Sequence, residues 1–115
     1  MSIKIERLNN TFVESISKII HDEVKDNEVK DVTITDVKIT NDLSFAKVYF
    51  TTLNEDRKKV LNSLNKASGF IRTKLCDSVQ IRKMPEIKFV YDESIDYANK
   101  IESIIERLNN GEEDI

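Results

Sequence analysis

The spacing of apolar residues along this chain switches repeatedly between steps of three and four and steps of two, which restricts the fold to amphipathic helices combined with half-buried strands. Ile5, Leu8, Phe12, Ile16, Ile19 and Ile20 keep the helical spacing, with Glu6, Arg7, Glu14, Lys18 and Glu23 at the other positions. They predict a helix from Ile3 to Lys25, followed by Asp26-Asn27-Glu28 as a polar exit loop. From Val32 to Thr40 the period falls to two, with Val37 and Ile39 alternating against Asp36, Lys38 and Thr40 among β-branched residues. Asn41-Asp42 is the natural turn. Ser44 to Thr52 then reads as a second strand, Ala46, Val48 and Phe50 on one face and Phe45, Lys47 and Tyr49 on the other. So short a link predicts an antiparallel hairpin.

Asn54-Glu55-Asp56 reads as a helix start, with a side-chain acceptor at the cap and acids in the first turn. Val60, Leu61, Leu64, Ile71 and Leu75 form one stripe that passes Gly69 without losing register. A glycine inside a helix costs about 1 kcal/mol relative to alanine, so Ala67-Ser68-Gly69 predicts an interruption where the chain bends or another backbone comes close. A helix-packing contact or a C-cap would account for it equally. Arg82-Lys83-Met84-Pro85 breaks the pattern, and Pro85 is expected to stop the helix and lead into a strand from Glu86 to Asp92. In that strand Ile87, Phe89 and Tyr91 alternate with Lys88 and Val90, and a strand-helix-strand order implies a right-handed crossover joining two parallel strands. Ser94 is the expected N-cap of a last helix with Ile95, Ala98, Ile101, Ile104, Ile105 and Leu108 as its buried stripe. Gly111 should end it. The predicted fold is α+β, helices on one face of a three-stranded mixed sheet, as a single domain over 1–110 with a mobile acidic tail at 111–115.

At 115 residues the chain suits one hydrophobic core, and no run approaches the roughly 18 apolar residues of a membrane span. No leader precedes a cleavage site, so a cytoplasmic location without membrane contact is expected. Cys76 is the single cysteine, and without His or Cys neighbours it reads as a small helix residue; His21, beside Asp22, reads as a surface group. An enzyme would need a nucleophile with its base, a phosphate-cradling glycine loop or clustered metal ligands, and none is legible. No cofactor or metal is expected.

Charge is distributed unevenly. The net charge of −3 conceals a segment from Arg57 to Lys83 in which Asp77 is the only acid against Arg57, Lys58, Lys59, Lys66, Arg72, Lys74, Arg82 and Lys83. From Glu93 to Ile115, two basic residues face seven acidic ones. A fold that keeps the basic segment on one side would be bipolar, with one face able to dock on phosphates. Phe45 and Tyr49 beside Lys47 fit a base-stacking platform, although half-burial in a two-sided sheet accounts for them more simply.

Three stretches in order carry a family likeness: Val32 to Leu43 followed by Ala46-Lys47-Val48-Tyr49-Phe50; Ala67-Ser68-Gly69-Phe70-Ile71-Arg72; and Arg82-Lys83-Met84-Pro85-Glu86-Ile87-Lys88-Phe89-Val90-Tyr91-Asp92-Glu93-Ser94. Over nearly its whole length the chain resembles the bacterial ribosome-binding factor A family, with its hairpin and acidic turn, its Ala-x-Gly kink, and its basic, proline, strand and aspartate-serine signature. The resemblance implies a KH-like domain of the second topological type, with the Ala-x-Gly interruption in place of a Gly-x-x-Gly loop. It also implies a cytoplasmic assembly factor that binds free 30S subunits late in maturation and assists 5′-end processing of 16S rRNA, notably during cold adaptation.

Phosphate contact needs exposed Lys and Arg, and on that ground Lys66, Arg72, Lys74, Arg82 and Lys83 are the expected main RNA contacts, with Lys47 and Arg57 secondary. Acidic ends on a limited basic face suit transient association, and a monomer is expected. The alternative is a non-catalytic protein-interaction module that uses the amphipathic helices.

Overall fold

Val32 and Ile34 stand at even positions of the first strand and Val37 and Ile39 at odd ones, yet all four are buried. A shift of register between Ile34 and Asp36 reconciles them, because a bulge places two residues opposite one and returns the apolar side chains to the same face. In this computed structural model, which describes residues 3–109, that strand is β1 (Val32–Ile39). It pairs antiparallel with β2 (Phe45–Thr52), and β2 pairs parallel with β3 (Glu86–Tyr91), giving the order β1-β2-β3. The hairpin loop is longer than the predicted two-residue turn. Thr40 Oγ1 donates to Asp42 Oδ1 at 2.8 Å, the Ser44 N–H donates to the same oxygen at 3.0 Å, and Leu43 takes a positive φ of 61° between them.

Three helices, α1 (Ile3–Asp22), α2 (Arg57–Ser78) and α3 (Glu93–Asn109), complete the α+β fold. α1 lies on β1 and α2 on β3, and the two touch each other, closing a core that includes Phe12, Ile16, Val48, Phe50, Leu64 and Ile71. Asn9, the buried polar residue of that core, accepts the Ile39 N–H at 3.1 Å, so an outer-strand donor is satisfied from α1. α1 stops three residues before the predicted Lys25. The Glu23 and Val24 N–H groups both bond to Ile19 O, and Asp26 then caps a 3-10 turn at Asn27–Val29 that buries Val29.

The predicted interruption of α2 is not found. Ala67, Ser68 and Gly69 lie inside one unbroken helix, with Val60 and Leu64 before them and Ile71 and Leu75 after them fully buried. Both halves of the stripe meet the same core in register, and that burial outweighs the roughly 1 kcal/mol cost of the glycine. Nor does any neighbouring backbone come close, since nothing stands within 4 Å of where a Gly69 Cβ would be.

The ends of α2 also differ from expectation. Asp56 is itself the N-cap, accepting the Lys59 N–H at 3.1 Å, so no acid occupies the first turn. At the other end the helix stops at Ser78 and not at Pro85. Val79 turns to extended geometry and buries its side chain, while Pro85 is packed at the entry to β3.

α3 departs furthest from the prediction. Asp92, not Ser94, holds the cap position, accepting the Ser94 N–H at 3.0 Å. Ile101, Ile104, Ile105 and Leu108 were predicted to be buried, yet they are 38%, 37%, 50% and 57% exposed. α1 and α2 already cover the apolar side of the sheet, and among the described residues α3 makes no extensive contact with another element. The side chains of Ile95 and Ala98, the stop at Gly111 and the acidic tail 111–115 lie outside the described residues.

Candidate nucleic-acid interface

Each residue of an α-helix turns about 100°, so Arg72 and Lys74 point to opposite flanks of α2 despite their closeness in sequence. Arg72 faces the segment that leads into β3. Its Nη2 donates to Met84 O at 2.8 Å and its Nε to Pro85 O at 3.3 Å, which pins the 79–85 loop against the helix. On that loop Arg82 and Lys83 are exposed, and Lys83 Nζ donates to Ser44 Oγ at 3.3 Å. The Glu86 N–H bonds to Ser44 O at 3.0 Å, joining the starts of β2 and β3. Arg72 and Lys83 are therefore held in one corner at the hairpin end of the sheet, and Arg82 is exposed next to Lys83 on the same loop. Asp42 shares this corner. The Thr40 hydroxyl, then the bonds from Ser44, and to a smaller extent the Lys83 charge hold its carboxyl below the usual aspartate value.

The other predicted contacts are placed elsewhere. Lys74 lies on the α1 side, 3.5 Å from Glu23 Oε1 and 5.5 Å from the centre of the Phe70 ring. The pair joins α2 to the turn that follows α1. Lys66 is exposed on the outer surface of α2, about 9 Å along the axis from Arg72. Arg57 begins the helix about 22 Å from Arg72 and stacks on Tyr91 at 4.2 Å, which docks α2 onto β3.

Lys47 belongs to a set that the sequence reading did not assemble. In the register of the sheet Lys47 stands directly across from Lys38 on β1 and from Lys88 on β3, making a row of three exposed lysines. The row crosses the face opposite α1 and α2. Phe45 and Tyr49 flank Lys47 along β2, with Lys88 Nζ 4.6 Å from the Phe45 ring centre and Lys38 Nζ 5.7 Å from that of Tyr49. Lys38 and Lys88 were legible as outward members of their strands, but only the strand pairing aligns them with Lys47.

Exposed ammonium and guanidinium groups of this kind can pair with phosphate or other anionic groups. Among the described residues no group of three or more His, Cys, Asp or Glu could hold a metal ion, and no helix is long and apolar enough to cross a membrane. His21 and Cys76 are both exposed, on different helices.

Comparison with known proteins gives a consistent result. The family model described as Ribosome-binding factor A matches residues 4–105. A protein of that name from Macrococcus caseolyticus is 46% identical over 95% of this chain and 97% of its own length. Among solved structures, ribosome-binding factor A from Thermus thermophilus superimposes with a TM-score of 0.71 at 21% identity, covering 76% of this chain and 94% of that one. A second set of coordinates for the Thermus factor, a homology model fitted into a cryo-EM map of its complex with 30S, gives a TM-score of 0.65 at 21% identity over 76% of this chain and 93% of that one.

Proposed function

Since the chain belongs to the ribosome-binding factor A family, we propose that it is a non-catalytic assembly factor that binds the small ribosomal subunit through 16S rRNA. The observation that carries this reading is that Arg72 and Lys83 are held in one corner at the hairpin end of the sheet, with Arg82 exposed beside Lys83 on the loop that Arg72 holds. Fixed, exposed cations are what a ribose-phosphate chain requires, and each contact formed releases counterions. The complex of the Thermus factor with 30S agrees with such a partner.

The finer reading is a monomeric cytoplasmic protein that acts on free 30S particles late in maturation, assists 5′-end processing of 16S rRNA and matters most in the cold. Its net charge of −3 favours departure once the rRNA surface changes. Cosedimentation of the purified protein with immature and mature small subunits at two salt concentrations tests this. Preferential binding to immature particles that weakens as salt rises supports it; equal association with both, indifferent to salt, would not.

A second reading, a protein-interaction module, draws on the exposed stripe of Ile101, Ile104, Ile105 and Leu108. Copurification of a protein after nuclease treatment, without affinity for small subunits, would favour it.

A further inference from the structure

We propose that the open face of the sheet is a second site, a platform on which a single-stranded RNA segment stacks its bases against Phe45 and Tyr49 while Lys38, Lys47 and Lys88 take its phosphates. Like charges placed directly across neighbouring strands are destabilising, and here three lysines are aligned in one row. An anionic ligand along β2 would remove that repulsion. The two aromatic side chains stand four residues apart on the central strand, about 13 Å, one on either side of Lys47. Phe45 is 40% exposed and Tyr49 half-buried, so each presents part of a ring to the surface without leaving its own strand.

In the free protein the ammonium groups of Lys88 and Lys38 rest over these rings. A cation on an aromatic face is held weakly at an exposed site, and a four-carbon stem lets it swing to a phosphate as a base takes its place on the ring. Two acids limit where the strand can run, Asp36 across from Tyr49 on β1 and Glu86 across from Phe45 on β3. They leave the line of β2 as the favourable path for phosphates. A second copy of the chain is the wrong occupant, because it would set one lysine row against another. Single strands fit where duplexes do not, since only unpaired bases offer their faces to a flat aromatic surface. The choice of RNA rests on the ribosomal reading above, whereas the platform rests on the strand register.

The test is an NMR titration of the full chain with a short oligouridylate and, separately, with an RNA duplex of similar length. Shifts confined to the outward residues of the three strands, and tighter binding of the single strand, are the expected result. A Phe45→Leu/Tyr49→Leu variant should bind the oligouridylate about tenfold or more weakly, and Lys47→Gln, at an exposed side chain, should flatten the salt dependence. Shifts centred on α2 and the 79–85 loop, equal binding of duplex, or unchanged affinity in both variants would overturn the platform. Cosedimentation with small subunits separates the two readings. Oligouridylate bound on the sheet without subunit binding defeats the ribosomal reading alone, and subunit binding without oligouridylate on the sheet defeats the platform alone.

Discussion

Thr35 Oγ1 donates to Asp92 Oδ2 at 2.6 Å, joining the bulge of β1 to the residue that caps α3. Thr35 is the residue that the bulge leaves without a cross-strand partner, so the irregularity that corrects the apolar parity also supplies an anchor for the last helix. The bonds from Ser94, and then that from Thr35, hold the Asp92 carboxyl below its usual value. A carboxyl depressed in the folded state stabilises it at pH values above the ordinary aspartate range, and the contribution is lost as pH falls through the folded value. Asp92→Ala should therefore remove amide protection in the first turn of α3 at neutral pH, at a cost of about 1 kcal/mol for the cap. The difference between variant and wild type should shrink as the solution is acidified below about pH 4. Hydrogen exchange of α3 across that range measures both effects.

Gly69→Ala is expected to stabilise the protein. Glycine is the weaker helix former by about 1 kcal/mol, and an added methyl would meet no neighbour within 4 Å. Urea unfolding should show a higher midpoint with an unchanged slope. A lower midpoint would mean that the backbone at Ala67-Ser68-Gly69 needs glycine after all.

Much of the element order was legible because burial imposes a period on each segment, as the stripe of Val60, Leu64, Ile71 and Leu75 shows. What periodicity cannot reveal is the partner of an apolar face. Ile101, Ile104, Ile105 and Leu108 have the same spacing as the α2 stripe and yet reach solvent, because the sheet has only one apolar side and two helices occupy it. The β1 bulge was hidden for a related reason, since two short alternations of opposite parity resemble one irregular strand until β2 sets the register. In the basic segment, the opposed directions of Arg72 and Lys74 followed from helix geometry alone, but the capture of Lys74 by Glu23 depended on tertiary packing.

The contrast between the two stripes can be measured. Leu75→Ala, at a fully buried position, should cost about 2–5 kcal/mol in urea unfolding, whereas Ile105→Ala, at a half-exposed one, should stay within about 0.5 kcal/mol of wild type. A large loss at Ile105 would place α3 against the core.

The basic corner is tested most directly by cosedimentation of small ribosomal subunits with an Arg82→Glu/Lys83→Glu variant, alongside a Lys74→Glu variant of the cation that is paired to Glu23. The expected result is loss of particle binding in the first, with a retained circular dichroism spectrum, and binding within about twofold of wild type in the second. Undiminished binding by the Arg82→Glu/Lys83→Glu variant, or a loss as large in Lys74→Glu, would contradict the assignment of the corner formed by Arg72 and the 79–85 loop as the surface that meets the subunit.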